Sequence, residues 1–406
     1  MADTAQTTTE DETTLPGKGE AAPRRPWRAY FEADLGFRNH WYPAFFSNQL
    51  AEGECRGQVM LGERLLFKRI DGKVYAIEDR CLHRGVPLSV RPECYTKNTI
   101  SCWYHGFTYD LRDGKLVAII TDPESPLIGR NSLKTYPVEE HKNMVFAFVG
   151  DEAPHPIALD LQPGFLDEGL AVYPNGENEI VRSNWRLAAE NGVDASHVYI
   201  HRNSALINAA RRPLPLSSYF LTREGMVVDA EDGPKGVVKG AGRRTSVWET
   251  EIEGVKVASQ YQPGVNTDQR NVTDTSLWLP CGLKVDPFPR PDTMQFEWYV
   301  PQDEGSHHYI VTWGKRVQNE QESEQFVREM DVIWKDLVVH KFNNEDVIAR
   351  EAMEHFYAQE DGWNQEQLFR PDMIIAEWRR LASKYNRGIQ RRPTAKAKVQ
   401  TKDSAS

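Results

Sequence analysis

From about residue 40 to 155 the chain alternates apolar and polar positions in short runs. Arg64–Ile70, Val74–Glu78, Thr99–Ser101 and Thr108–Leu111 read as strands, separated by Asp71-Gly72, Asp113-Gly114 and several prolines. Pro154, Pro156 and Pro163 mark a boundary, and beyond it the period changes. Trp185–Ile200 reads as a helix, with Asn184 as its cap and Leu187, Ala188 and Asn191 on one stripe. Residues 215–315 return to strand, including Thr245–Glu251, Ser276–Leu279, Gln295–Val300 and Tyr309–Trp313. The polar segment Glu231–Arg244, with four glycines, is expected to be a mobile loop. Ser323–Phe356 and Met373–Tyr385 carry helical periodicity. The fold class is α+β. The expected order is a disordered acidic extension (1–25), a short helix within 26–39, an all-β domain (40–155), a mixed domain with an antiparallel sheet and flanking helices (156–388), and a flexible tail (389–406).

Composition narrows the function classes. The chain has 406 residues, 40% of them hydrophobic and 27% charged, which is ordinary for a globular protein of two or three domains. A net charge of −10 argues against global attraction to nucleic acid or a membrane surface. No apolar run approaches the ~20 residues of a membrane span. Five cysteines, an odd count, suit a reducing cytoplasm better than a disulfide scaffold. Arg24-Arg25 is followed by a charged, aromatic stretch rather than an apolar one, so it is not an export signal.

The strongest chemical pattern is Cys81-Leu82-His83, eighteen residues, then Cys102-Trp103-Tyr104-His105. Two thiolates and two imidazoles in tight pairs suit a [2Fe–2S] cluster with the histidines on one iron. That ligation raises the potential to roughly −150 to +300 mV, against about −400 mV for plant-type clusters. The competing reading is a structural zinc site. Zinc pairs usually read C-x2–4-C and H-x3–5-H, whereas each pair here mixes one Cys with one His. Both pairs fall on loops of the β region. Leu82 and Trp103 can shield a cluster from water while His83 and His105 face outward.

A second constellation lies in the mixed domain. His197 and His201 are four apart, which places both imidazoles on one face of a helix. Such a pair alone also fits exposed or packed histidines, and no Glu follows His197 as a zinc protease requires. A third candidate ligand, Asp346, sits far downstream in Asn343-Asn344-Glu345-Asp346. Two His and one carboxylate form a facial triad that leaves Fe(II) open to O2 and substrate. Asp194, three residues before His197, could be a fourth ligand, a group that orients a ligand imidazole, or a helix-terminal carboxylate with no metal role.

With both constellations in view, the chain resembles the terminal oxygenases of the Rieske non-haem iron family over about residues 36–390. The likeness rests on Leu35–Pro43, Arg80–Ser89, Cys102–His105, Ser183–His201, Leu283–Pro301 and Lys341–Met353. It implies an N-terminal Rieske domain and a helix-grip catalytic domain. Cys81, His83, Cys102 and His105 would hold the [2Fe–2S] cluster, and His197, His201 and Asp346 a mononuclear Fe(II). Asp194 would bridge a cluster histidine of one subunit, His105, to His197 of the next in a homotrimer, with Asn343 also assigned to the catalytic group. Electrons would come from NAD(P)H through a reductase and a ferredoxin, with O2 as co-substrate. The expected reaction is angular cis-dihydroxylation of carbazole or a similar polycyclic N-heteroaromatic. Monooxygenation, a quinolone or other aromatic substrate, and an electron carrier without catalytic iron are the alternatives. Residues 1–25 lie outside the likeness and 205–275 match poorly.

A flat tricyclic substrate needs an apolar slot with a few polar anchors. Val198, Val285, Phe288 and Phe342 are candidate walls, each equally readable as plain core. Gln295, and beside it Glu297, are candidates for the far end. Gly192 either lets a ring approach its carbonyl or only kinks the helix. Arg80, Arg84, Arg91 and Lys97, beside the cluster ligands, are candidates for docking an acidic ferredoxin or are solvated surface charges.

Overall fold

The computed structural model describes residues 27–194, 196–210, 223–239, 248–259 and 273–392. The extension 1–25 and the tail beyond residue 392 lie outside the described residues. The N-terminal half is built from three small antiparallel sheets. One holds His40–Phe46, Met144–Val149 and Val138–His141. The second joins Cys55–Met60, Glu63–Ile70, Lys73–Glu78 and Thr135–Tyr136. The third joins Thr99–Ser101, Phe107–Asp110 and Leu116–Ile119. Asp71 and Gly72, with φ of 51° and 77°, make the hairpin turn that Asp-Gly predicts.

The C-terminal half wraps an eight-stranded sheet. Its centre is the hairpin Thr293–Asp303 and Ser306–Arg316, paired over nearly its whole length. Leu170–Val172 and Glu177–Val181 extend the sheet on one side. Gly282–Asp286, Asp274–Trp278, Gly236–Lys239 and Val227–Val228 extend it on the other. The central strands are buried on both faces although Thr293–Trp298 alternates polar and apolar residues, so Gln295, Glu297 and Thr312 are polar side chains inside the fold. On one face, Phe296 and Trp298 meet Phe165 edge-on, and Trp298 meets Phe146 of the N-terminal half in the same way. On the other, the helix Trp185–Val193 packs on the sheet and Asn344–Gln359, which carries Asp346, packs on that helix. This is an α+β fold with an N-terminal β domain and a sheet-and-helix catalytic domain, as expected.

Four local expectations need correction. The helix within 26–39 spans only Arg28–Phe31, because the backbone turns through Gly36 (φ 89°) and Asn39 (φ 60°). The helix expected over Trp185–Ile200 stops at Val193. Asn184 caps its start by accepting from the Arg186 N–H, but Asp194 leaves helical geometry with ψ 129°. Within the expected loop Glu231–Arg244, Gly236–Lys239 is a strand on Asp274–Trp278. Its glycine lets the backbone lie against Trp278, where a Cβ would sit 2.5 Å from the indole. The tail expected from residue 389 begins docked: Ile389 bridges to Phe37, and Gln390 is buried.

Candidate functional site

The two halves of the Cys/His motif fold into near-identical loops. In the first, the Gly85 N–H donates to the Cys81 carbonyl and the Cys81 N–H to Val86. In the second, the Gly106 N–H donates to Cys102 and the Cys102 N–H to Phe107. Gly85 and Gly106 sit at φ 71° and 70°, so each loop needs a glycine four residues after its cysteine. Both thiols are buried at 2% exposure, and Tyr109 Oη lies 3.4 Å from Cys81 Sγ. The two imidazoles turn Nδ1 toward Nδ1 at 3.0 Å, with the His83 ring stacked on Phe107. Converging ring nitrogens beside two buried thiols fit the ligation of one cluster. Leu82 and Trp103 remain 38% and 37% exposed. Arg80, Arg91 and Lys97 pair with Glu78, Glu93 and Asp71, so most of the expected basic patch is neutralised locally.

The mixed domain brings His197, His201 and Asp346 together, with one donor atom of each within 4.8 Å of the others. His197 and His201 lie on a 3-10 turn, His197–Asn203, rather than on an α-helix. Their spacing still serves, because both Nε2 atoms face Asp346, at 3.6 and 3.4 Å. The outer nitrogens fix the rings. His197 Nδ1 donates to the Asp194 carbonyl at 2.8 Å, and His201 Nδ1 to Glu345 Oε2 at 2.7 Å. Each imidazole therefore presents an Nε2 lone pair inward, and His201 Nε2 is buried with no hydrogen-bond partner. A buried, unpartnered imidazole nitrogen aimed at a carboxylate is what a metal ligand looks like without its metal. Burial pulls the His201 imidazole down, but the carboxylates of Asp346 and Glu345 more than reverse this, a concentration of negative charge that favours a cation at Nε2. Burial likewise pushes the Asp346 carboxyl up, and the two histidines hold it well below the usual carboxylate range.

Behind Asp346 runs a buried polar relay. Asn191 Nδ2 donates to Asp346 Oδ1 at 3.3 Å, and Arg350 Nε donates to Asn191 Oδ1 at 2.7 Å. The Arg350 guanidinium sits 5.0 Å from the ring centroids of both Tyr299 and Tyr309. Asn343 is buried and donates to Tyr309 Oη at 2.7 Å, so it braces the sheet rather than facing the histidines. In the sequence Asn191 shows only as part of a helix stripe, and Arg350 carries no sign of this role. Only Glu345 had a visible cue, as the acid beside Asp346.

Of the expected pocket walls, Phe342 stacks on the His201 ring at 3.8 Å and 15°, and Phe288 meets Phe342 at 5.2 Å. Val285 and Gln295 are register partners on neighbouring strands and share one face of the sheet. Gln295 is tied to Glu297 and to the Trp313 indole N–H. Val198 is half-buried on the turn between the histidines. Gly192 does not kink the start of its helix. It lies in the last turn, pressed on the sheet, where a Cβ would fall 2.6 Å from Tyr299 Oη. Outside the triad, Asp194 and His197 open onto a groove of about 580 Å³ with Ile200, Met353, Phe356, Phe369 and Asp372.

Burial, with the charges of Asp194 and Glu190, raises the Asp372 carboxyl to about 6. A raised carboxyl disfavours its charged form in the folded state. The cost is full above about pH 6 and fades as pH falls toward 3.8. Asp372→Asn is therefore expected to raise Tm at pH 8 and to leave it nearly unchanged at pH 4.

His40, His155 and Asp160 form a second His/His/Asp group. Here the centre is already filled: Arg387 Nη1 lies 2.7 Å from Asp160 Oδ1 and 2.6 Å from His155 Nε2. A guanidinium in the middle makes this a buried ion-pair cluster and leaves no room for a cation.

A Cys/His ligand set for a cluster on twin β loops and an open His/His/Asp triad under a helix grip define a two-centre ring hydroxylase. The chain belongs to the Rieske non-haem iron ring-hydroxylating oxygenases: residues 40–137 match the family model of the Rieske [2Fe–2S] domain, and 148–390 that of the homotrimeric ring hydroxylases. A [2Fe–2S] cluster and a mononuclear iron are the cofactors of that family. The chain is 50% identical over 370 residues to the terminal oxygenase component of carbazole 1,9a-dioxygenase from a Sphingomonas species, covering 90% of this chain and 96% of that protein. The solved terminal oxygenase from Novosphingobium sp. KA1 superposes with a TM-score of 0.84 at 48% identity, over 91% of this chain and 98% of that one. A reduced oxygenase–ferredoxin complex of carbazole 1,9a-dioxygenase matches with a TM-score of 0.83 at 48% identity, over 90% of this chain and 94% of that one.

Proposed function

We propose that this chain is a cytoplasmic terminal oxygenase that takes electrons from a ferredoxin and, with O2, performs angular cis-dihydroxylation of carbazole or a similar polycyclic N-heteroaromatic. The observation that carries the reading is His201. One face of its ring is stacked by Phe342, its Nδ1 is held by Glu345 and its Nε2 is turned to Asp346. An aromatic wall thus lies against a triad ligand. When bound, the cluster carries single electrons and the mononuclear iron activates O2. The chain's own residues do the rest. Cys81, Cys102, His83 and His105 hold the first group, and His197, His201 and Asp346 the second. Asp194 and Glu345 fix the two imidazoles, and Phe342, Phe288 and Val285 keep the slot apolar and dry. Gln295 anchors one end of the slot. The homotrimeric family description and the relatives' ferredoxin complexes support a homotrimer served by a ferredoxin and, through it, an NAD(P)H reductase.

The deciding experiment reconstitutes the protein with a ferredoxin and reductase and offers carbazole, fluorene, dibenzofuran and 2-oxoquinoline. An aminobiphenyl diol from carbazole, formed faster than any product from 2-oxoquinoline, is expected. A monohydroxylated carbazole, or preference for the quinolone, overturns the assignment. Iron analysis is expected to give three Fe per chain, from two in a [2Fe–2S] cluster and one in the facial triad. Two Fe per chain would leave only an electron carrier.

Glu345→Gln keeps the volume but weakens the hold on His201 Nδ1. Loss of such an outer partner typically costs 10–100-fold. The expected result is a fall of about that size in mononuclear iron affinity, read by chelator competition, with the cluster spectrum unchanged.

A further inference from the structure

The metal centres use two of the five cysteines, and Cys281 is buried with its thiol pushed up by that burial. The remaining two meet. Cys55 opens the strand Cys55–Met60, where the register sets it directly opposite Lys68. Opposite residues of an antiparallel pair share a face. Cys94, exposed on the segment between the two cluster loops, brings its Sγ to 3.8 Å from Cys55 Sγ. Lys68 is only 2% exposed, and its positive charge acts on the Cys94 thiol. A buried ammonium beside a thiol pair is a built environment, since an ammonium is costly to bury without an anionic partner. The Cys55 hydrogen bond and the Lys68 charge outweigh burial and hold the Cys94 thiol down at about 6, while Cys55 is raised well above the usual thiol range by the same hydrogen bond and by burial. One sulfur is thus prepared as the attacking thiolate and the other as the resolving thiol. Cys55 also packs on the small apolar core that contains Cys81 and Cys102.

We propose that Cys55 and Cys94 form a peroxide-sensitive dithiol site that closes to a disulfide and pins the segment between the two cluster loops to the strand Cys55–Met60. The oxidant is hydrogen peroxide, the two-electron reduction product of O2. The Cys94 thiolate attacks the O–O bond. An S–O bond forms, giving the sulfenic acid, and the departing hydroxide leaves as water after taking a proton. The Cys55 thiol then attacks that sulfur, the S–S bond forms and the second oxygen departs as water. The two thiols lose two electrons in total and one peroxide gains them. The sulfurs need to approach by less than about 2 Å to reach the ~2.05 Å of a disulfide, a movement open to an exposed side chain. In a reducing compartment such a bridge is transient and reversible.

The test treats the holoenzyme with peroxide at near-stoichiometric dose, blocks free thiols by alkylation and maps the digest by mass spectrometry. The expected product is a Cys55–Cys94 cross-linked peptide, about 2 Da lighter than the two thiol peptides. Dithiothreitol should reverse it, and the visible cluster spectrum should be unchanged. Cys55→Ser is expected to abolish the cross-link and drive Cys94 on to the sulfinic acid. Lys68→Met, which keeps the bulk and removes the charge, is expected to slow oxidation of Cys94 about tenfold. Wild-type Cys94 going to sulfinic acid while Cys55 stays alkylatable would overturn the proposal. So would disulfides found only between Cys94 residues of different chains, or no reaction at either cysteine.

Discussion

Asp346→Ala is expected to lower turnover by on the order of a thousandfold or more, about 4 kcal/mol in barrier terms, while leaving the visible absorption of the cluster intact. Asp346 is the single carboxylate of its triad and faces both Nε2 atoms. Its removal takes away the negative charge that matches a divalent ion, and two imidazoles alone hold Fe(II) weakly. The cluster ligands lie on other elements, and Cys81 and Cys102 pack in the separate small core with Leu66, Leu88 and Ile100, so nothing in their environment changes. The fold has reason to survive, because Arg350 keeps Asn191 and both tyrosine rings. Asp346→Asn retains volume and hydrogen bonding and is expected to lose iron as well, which separates charge from packing. Activity, iron content and the visible spectrum together decide the matter. Bleaching of the cluster in a natively folded variant would refute the division into two centres.

The two sites were legible in the sequence to different depths. The cluster could be read in full because each half closes within five residues, and Gly85 and Gly106 follow their cysteines at the spacing the turn requires. The triad could be read because the spacing of His197 and His201 brings the rings together on a 3-10 turn as well as on an α-helix. The helix itself was overextended: the periodicity of Trp185–Val193 shows no break at Asp194, and only the backbone turn there does. The relay Asp346–Asn191–Arg350 was not legible. Its members are 155 and 159 residues apart and meet only when two helices pack on one sheet. The same holds for His40, His155, Asp160 and Arg387, drawn from β domain, linker and C-terminus. Gly192 was conspicuous in the sequence, yet the reason for it, the approach of Tyr299 Oη, is tertiary. Pocket walls gave no separate sign, since Phe288 and Phe342 face the site from positions that read equally well as core.

A mixture of two dead chains is expected to be active. The surfaces that such an inter-subunit contact would join are uncovered in a single chain: Leu82, Trp103 and Tyr104 beside the cluster ligands are 38%, 37% and 50% exposed. The groove at Asp194 and His197 offers Met353 and Phe356, with Phe369 57% exposed at its edge. An apolar tip and an apolar groove, each left open, suit the joining of one chain to its neighbour in a cyclic trimer. His105→Ala removes a cluster ligand and Asp346→Ala an iron ligand, so neither homotrimer turns over. In a ring where each cluster serves the next chain's iron, every mixed trimer contains one junction at which an intact cluster meets an intact triad. A wild-type ring contains three such junctions, so mixed trimers isolated through two different affinity tags should show roughly one third of wild-type turnover. If electrons instead stayed within a chain, every chain would carry one broken centre and the mixture would be as inactive as its parents. Zero activity in verified mixed trimers that retain one or two of their three clusters, and correspondingly two or one of their three irons, would therefore rule out the inter-subunit route, and with it the bridging role of Asp194.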